Sequence, residues 1–130
     1  MRGAEAAGVG ERFIWTGPLP PAEISRHLAA LDVYVHTHGA GASGRSTTLM
    51  SALAHGLPVV AFNGPETTPF LTHGAVALMP DGDTASFVRR VDALLDAPAV
   101  RARAAAEARD VYERHFAWGS IAGLLLDAVS

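Results

Sequence analysis

Cysteine and lysine are both absent from the 130 residues. Without cysteine there is no disulfide framework, no thiolate metal site and no thiol nucleophile. Without lysine, all ten basic side chains are arginine, set against 13 acids for a net charge of −3. The two signs are interspersed, so the chain offers no field for nucleic acid or for an anionic membrane surface. A long apolar run is also missing. The longest, Ile121 to Val129, is broken by Gly123 and Asp127 and is too short to span a bilayer. The amino terminus lacks the basic-then-apolar pattern of a signal peptide, so a cytoplasmic protein is expected. No repeat or linker divides the chain, and one domain over 1–130 follows.

What is present centres on the run from Gly41 to Phe62. Gly39, Gly41 and Gly44 lie among Ala40, Ala42 and Ser43, a loop whose backbone is free to take positive φ and to let a ligand approach main-chain N–H groups. Leu49, Met50, Leu53 and Ala54 then fall on one helical stripe, with Ser46 or Thr47 as the cap. Gly56 is placed to end that helix, His55 sits in its last turn, and Pro58 prevents its continuation. Val59 to Phe62 is apolar without alternation, which marks a strand covered on both faces. A small-residue loop opening a helix gathers free N–H groups and the positive dipole end at one spot, and Arg45 adds a guanidinium there. The same pattern also precedes helices that bind nothing.

Along the rest of the chain, Met1 to Gly10 reads as the end of a helix and Arg12 to Thr16 as a strand. Pro21 and Glu23 open a helix with Ile24, Leu28 and Leu31 inward, and Val33 to Thr37 is the next strand. After Phe62 come a loop, a short helix around Pro69 to Thr72 ended by Gly74, and a strand over Ala75 to Met79. Asp83 or Thr84 caps a helix with Phe87, Val88, Val91, Leu94 and Leu95 inward. Val100 to Phe116 continues as a helix, and Gly119 to Val129 forms a last one with Ile121, Leu124, Leu125 and Ala128 inward. The fold class is therefore α/β, a Rossmann-like parallel sheet of about four strands flanked by helices. Ligands in such sheets bind beyond the carboxyl ends of the strands. That rim would gather the loops at Gly17, at Gly39 to Gly44 and at Asn63 to Thr67.

The segments WTGPLPPAEISRHLAALDVYV, ASGRSTTLMSALAHGLPVVAF and GDTASFVRRVDALL resemble the carboxyl-terminal, donor-binding lobe of retaining glycosyltransferases of the GT-B fold, glycosyltransferase family 4. The resemblance spans nearly the whole chain and implies binding of a nucleoside diphosphate sugar, whose sugar passes to an acceptor. It places Gly17 near the nucleotide base and the amides of Gly44, Arg45, Ser46 and Thr47 around the diphosphate. The family's two Glu positions, one contacting the transferred sugar and one holding the ribose, read Ser43 and Ser51 here. No catalytic acid is therefore assigned; Ser43 merely occupies that position. His38, on the rim, is expected to touch donor or acceptor. No metal or cofactor is expected, although His36 and His38 share one side of a strand.

The resemblance also implies an incomplete lobe, lacking its first two strands and their Arg and Lys loop, and a partner amino-terminal lobe of the same protein. Exposed strand edges would then favour a homodimer. The alternative, given Ser43 and Ser51, is a non-catalytic binding or assembly module descended from such a lobe. Other readings carry less. No Gly-x-Ser-x-Gly elbow supports Ser43 as a nucleophile, and no paired acids close the first strand as in a response regulator. Trp15 and Trp118 read as packing residues. Glu66 either reaches a ligand or opens a helix. The arginine and alanine bias points to a GC-rich bacterial source.

Overall fold

The computed structural model describes residues 2–130; Met1 lies outside the described residues. Its elements are α1 (Arg2–Ala6), a 3-10 turn (Gly10–Arg12), α2 (Pro21–Ala29), β1 (Tyr34–His36), α3 (Thr47–Ala54), β2 (Val59–Phe62), a second 3-10 turn (Pro69–Leu71), β3 (Val76–Met79), α4 (Thr84–Asp96), α5 (Pro98–His115) and α6 (Trp118–Val129). The three strands form one parallel sheet in the order β1-β2-β3. Tyr34 pairs with Val59, and Val59 with Val76.

β2 is apolar throughout because both of its faces are covered. Val59 and Ala61 turn toward a cluster with Leu49, Leu53 and Ala108, supplied by α3 and α5. Val60 turns the other way, onto Phe87 and Leu94 of α4. Each such leucine or phenylalanine, once fully buried, contributes about 1.5–3 kcal/mol. α3 is bounded by local chemistry. Ser46 is its N-cap and accepts from the Leu49 N–H. At the other end Gly56 takes φ 66°, its N–H donates to the Leu53 carbonyl and that of Leu57 to Ala52. That double closure needs a left-handed residue, which glycine supplies without strain.

Several expectations fail. In α2, expected to turn Ile24, Leu28 and Leu31 inward, no residue is buried and Ile24 and Leu31 are exposed. Arg12 to Thr16 is not a strand: Arg12 closes a 3-10 turn, and Phe13, Ile14 and Trp15 are 59%, 83% and 76% exposed. Strand propensity is realised only against a neighbouring ladder, and β1 is instead the sheet edge. In α4 only Phe87 and Leu94 are buried, whereas Val88 and Leu95 face solvent. A 13-residue helix on one sheet face buries a narrower stripe than its composition suggests. α6 forms but has no buried residue; Leu124 and Leu125 are exposed, as is Trp118, and so is Ala128. α6 lies against α5, and nothing among the described residues covers its outer face. Trp15 and Trp118 are thus not packing residues here. No helix among the described residues is long and apolar enough to cross a membrane.

Candidate functional site

β1 and β2 are parallel neighbours, so the loops leaving their carboxyl ends share one rim. These loops, 37–46 and 63–68, are fastened together. The Glu66 N–H donates to the Ala40 carbonyl at 2.8 Å and the Thr68 N–H to the Ala42 carbonyl at 2.9 Å. In return the Gly44 N–H donates to Thr68 Oγ1 at 2.8 Å. The glycines serve this closure. A Cβ on Gly64 would lie 2.5 Å from the Ala40 carbonyl. Gly41 takes φ 102° and faces Thr67 and Gly64, and Gly44 is pressed by the Phe116 ring. Gly39 alone of the loop's glycines faces open space.

The amides at the start of α3 divide into two groups. Gly44 is held by Thr68, Arg45 by Ser43 Oγ at 3.3 Å, and Ser46 by the Ser43 carbonyl at 3.0 Å. The Thr47 and Thr48 amides have no acceptor among the described residues. They are the first two N–H groups of the helix, where the dipole is positive.

Beside them opens a cleft of about 300 Å³ lined by His36, His38, Gly41, Ser43, Arg45, Ser46 and Glu66. Arg45 Nη2 donates to Glu66 Oε2 at 2.9 Å, with both side chains half exposed or more. Tyr34, His36 and His38 occupy alternate positions, so their rings stack in series at 6.3 and 6.1 Å. His36 is buried at the base. Burial, aided by the neighbouring His38, holds its pKa below the ordinary histidine value, opposed by the Gly41 main chain.

Of the sequence-expected residues, Ser43, Arg45, Ser46 and His38 meet in this cleft. Ser51 sits one turn into α3 with its hydroxyl donated to the Thr47 carbonyl at 2.8 Å. Gly17 lies elsewhere, with φ 64°, in an open groove against Ile24, His27 and Leu28 of α2. The three-loop rim therefore reduces to two loops. Among the described residues no group of three or more metal-ligating side chains comes together. A larger hollow of about 770 Å³, bordered by Glu5, Glu11, Arg12, Phe13 and Trp15 of the amino-terminal segment, shares no lining residue with this cleft. Sequence reasoning missed the ladder between the loops and the Phe116 contact, whose partners lie far apart in the chain. His55, expected in the last turn of α3, makes a bridge the sequence did not announce: its Nδ1–H donates to the Ser51 carbonyl at 2.7 Å, leaving Nε2 to accept from Ser25 Oγ at 2.8 Å and tie α2 to α3.

Residues 2–97 match the family of group 1 glycosyl transferases. The chain belongs to that family. A 2-deoxystreptamine N-acetyl-D-glucosaminyltransferase of Streptomyces fradiae is 33% identical over 119 residues, covering 85% of this chain and 26% of the relative. The chain thus spans about a quarter of the length of the curated relative it matches. In this member of the family the sheet and the helices around it form a Rossmann-like arrangement, and neither Ser43 nor Ser51 offers a carboxylate.

Proposed function

We propose that the chain is the donor-binding, carboxyl-terminal part of a family 4-type glycosyltransferase and holds the diphosphate of a nucleoside diphosphate sugar. The observation that carries this reading is the pair of unclaimed amides on Thr47 and Thr48, beside Arg45, at the carboxyl rim of a parallel sheet. Phosphate oxygens would take those two N–H groups and the guanidinium fork. Gly44 and Ser46 then shape the loop rather than donate, and Ser51 steadies the first turn of α3. The relative's named reaction makes an N-acetyl-D-glucosaminyl group the first donor sugar to try. Titration calorimetry with UDP and with GDP tests the reading: binding is expected and should weaken in Arg45→Ala and Ser46→Pro. Absence of heat at millimolar nucleotide would remove it.

The exposed apolar surfaces of Phe13 to Trp15 and α6 fit contact with a second lobe of a longer polypeptide, which would complete the catalytic cleft. The open edge of β1 also suits pairing with a second copy, and a monomeric mass across a wide concentration range in light scattering would contradict that. A cytoplasmic location and a bacterial source belong to the same reading. A non-catalytic module is the second reading, favoured by one observation: Ser43 Oγ already accepts from the Arg45 N–H and Ser51 Oγ already donates to Thr47. Nucleotide-sugar binding without transfer, once the rest of the polypeptide is supplied, would select it.

A further inference from the structure

The cleft holds charges of both signs. Arg45 stands next to Glu66, and Glu66 is the one carboxylate lining it. A site for a bare anion gains nothing from a carboxylate beside its cation. A ligand with an anionic end and a hydroxyl-rich end matches both. Ser43, at the position where the resemblance expects a sugar-contacting acid, cannot accept with full negative charge. Glu66 can, from the neighbouring loop.

We propose that Glu66 is the donor-contacting carboxylate of this cleft, accepting hydrogen bonds from hydroxyl or amide groups of the sugar while Arg45 and the α3 start hold the diphosphate. The proposal rests on the donor-site reading above and names the residue that reads the sugar half. Three observations carry it. The carboxylate's root is fixed, because the Glu66 N–H donates to the Ala40 carbonyl at 2.8 Å and the Thr68 N–H to the Ala42 carbonyl at 2.9 Å. Arg45 engages only Oε2, so Oε1 has no partner among the described residues. The pair is solvent-facing, with side chains 81% and 50% exposed, so Arg45 can turn to a phosphate without leaving a buried charge behind. Hydroxyl hydrogen bonds to a carboxylate are roughly twice as strong as neutral ones, which suits discrimination between a nucleotide and its sugar conjugate.

The test compares UDP with UDP-N-acetylglucosamine, and GDP with GDP-mannose as a second pair, by calorimetry on the chain, Glu66→Gln and Arg45→Ala. The chain should bind one nucleotide sugar more tightly than its nucleotide. Glu66→Gln should bind the nucleotide as well or better, because a negative neighbour is gone, while the sugar's advantage falls by roughly tenfold. Arg45→Ala should weaken nucleotide and nucleotide sugar alike. If Glu66→Gln keeps the sugar's advantage, or weakens both ligands equally, Glu66 only holds Arg45 and the proposal falls while the donor site stands. If the unmodified chain binds neither ligand of either pair, the donor site falls and this proposal with it. Should Glu66→Gln lose its melting transition, Glu66→Asp, which withdraws the carboxylate by one methylene, is read by the same ratio.

Discussion

α3 and α6 are both short and rich in apolar residues, yet they meet opposite fates. In α3, Leu49, Ala52 and Leu53 are fully buried, Ser46 caps the start and Gly56 closes the end. In α6 no residue is buried and Ala117 offers no side-chain cap. The contrast teaches that apolar content sets what a helix can bury, whereas its neighbours decide what it does bury. α3 lies between the sheet, α2 and α5; α6, among the described residues, lies chiefly against α5.

The sharpest probe of that contrast is a pair of truncations. Leu53→Ala should cost about 2–5 kcal/mol, the usual range for a leucine lost from a packed core. Leu125→Ala should stay within about 0.5 kcal/mol, as for other surface changes. Denaturant midpoints decide, and an equal loss at Leu125 would show α6 covered in solution. Glycines extend the comparison. Gly64→Ala, which places a Cβ 2.5 Å from the Ala40 carbonyl, should cost about 1–3 kcal/mol and separate the rim loops. Gly123→Ala in the interior of α6, with nothing within 4 Å of its Cβ, should stabilise by about 0.5–1 kcal/mol. Thermal melts of both variants would reveal opposite signs.

A pH series singles out the centre. His36 titrates below the ordinary histidine value of 6.5, so between that value and its own the unfolded chain binds the proton first. Its stabilising contribution is whole above 6.5, declines as pH falls below it, and stops changing once His36 itself is protonated. His36→Gln should flatten that part of the melting-temperature profile. Tyr34, His38, Arg45 and Glu66 share its surroundings, so an unchanged profile would mean that another group sets it. A small effect is expected at the cap. Ser46→Ala should cost about 0.5 kcal/mol, the low end for an N-cap, because its bond to the Leu49 N–H is long at 3.3 Å.

Much of the centre was legible because its signals are local. Ser46, Gly56 and Pro58 bracket α3, the unalternating Val59 to Phe62 announces a covered strand, and Asp83 caps α4 by accepting from the Ser86 N–H. What was illegible depends on distant partners. Phe13 to Thr16 has strand residues without a strand to join. Leu124 and Leu125 have helical spacing without a surface to meet. At the rim, Arg45 and Ser46 could be named from the loop-to-helix pattern. That Gly44 accommodates Phe116, that Gly41 and Gly64 let two loops touch, and that Glu66 meets Arg45 follow only from chain segments brought together by parallel pairing of β1 and β2.

The central claim is that the Thr47 and Thr48 amides receive a diphosphate. Its most direct measurement is a nitrogen-15 NMR titration with UDP and GDP, comparing the chain with Thr47→Pro. Proline suits this first helical position because Ser46 is already extended, at φ −76° and ψ 107°. The account predicts that the Thr47 and Thr48 resonances move on nucleotide addition while that of Gly44, bound to Thr68, moves least, and that Thr47→Pro folds but binds more weakly. Unmoved Thr47 and Thr48 resonances at saturating nucleotide, or undiminished binding by folded Thr47→Pro, would contradict it.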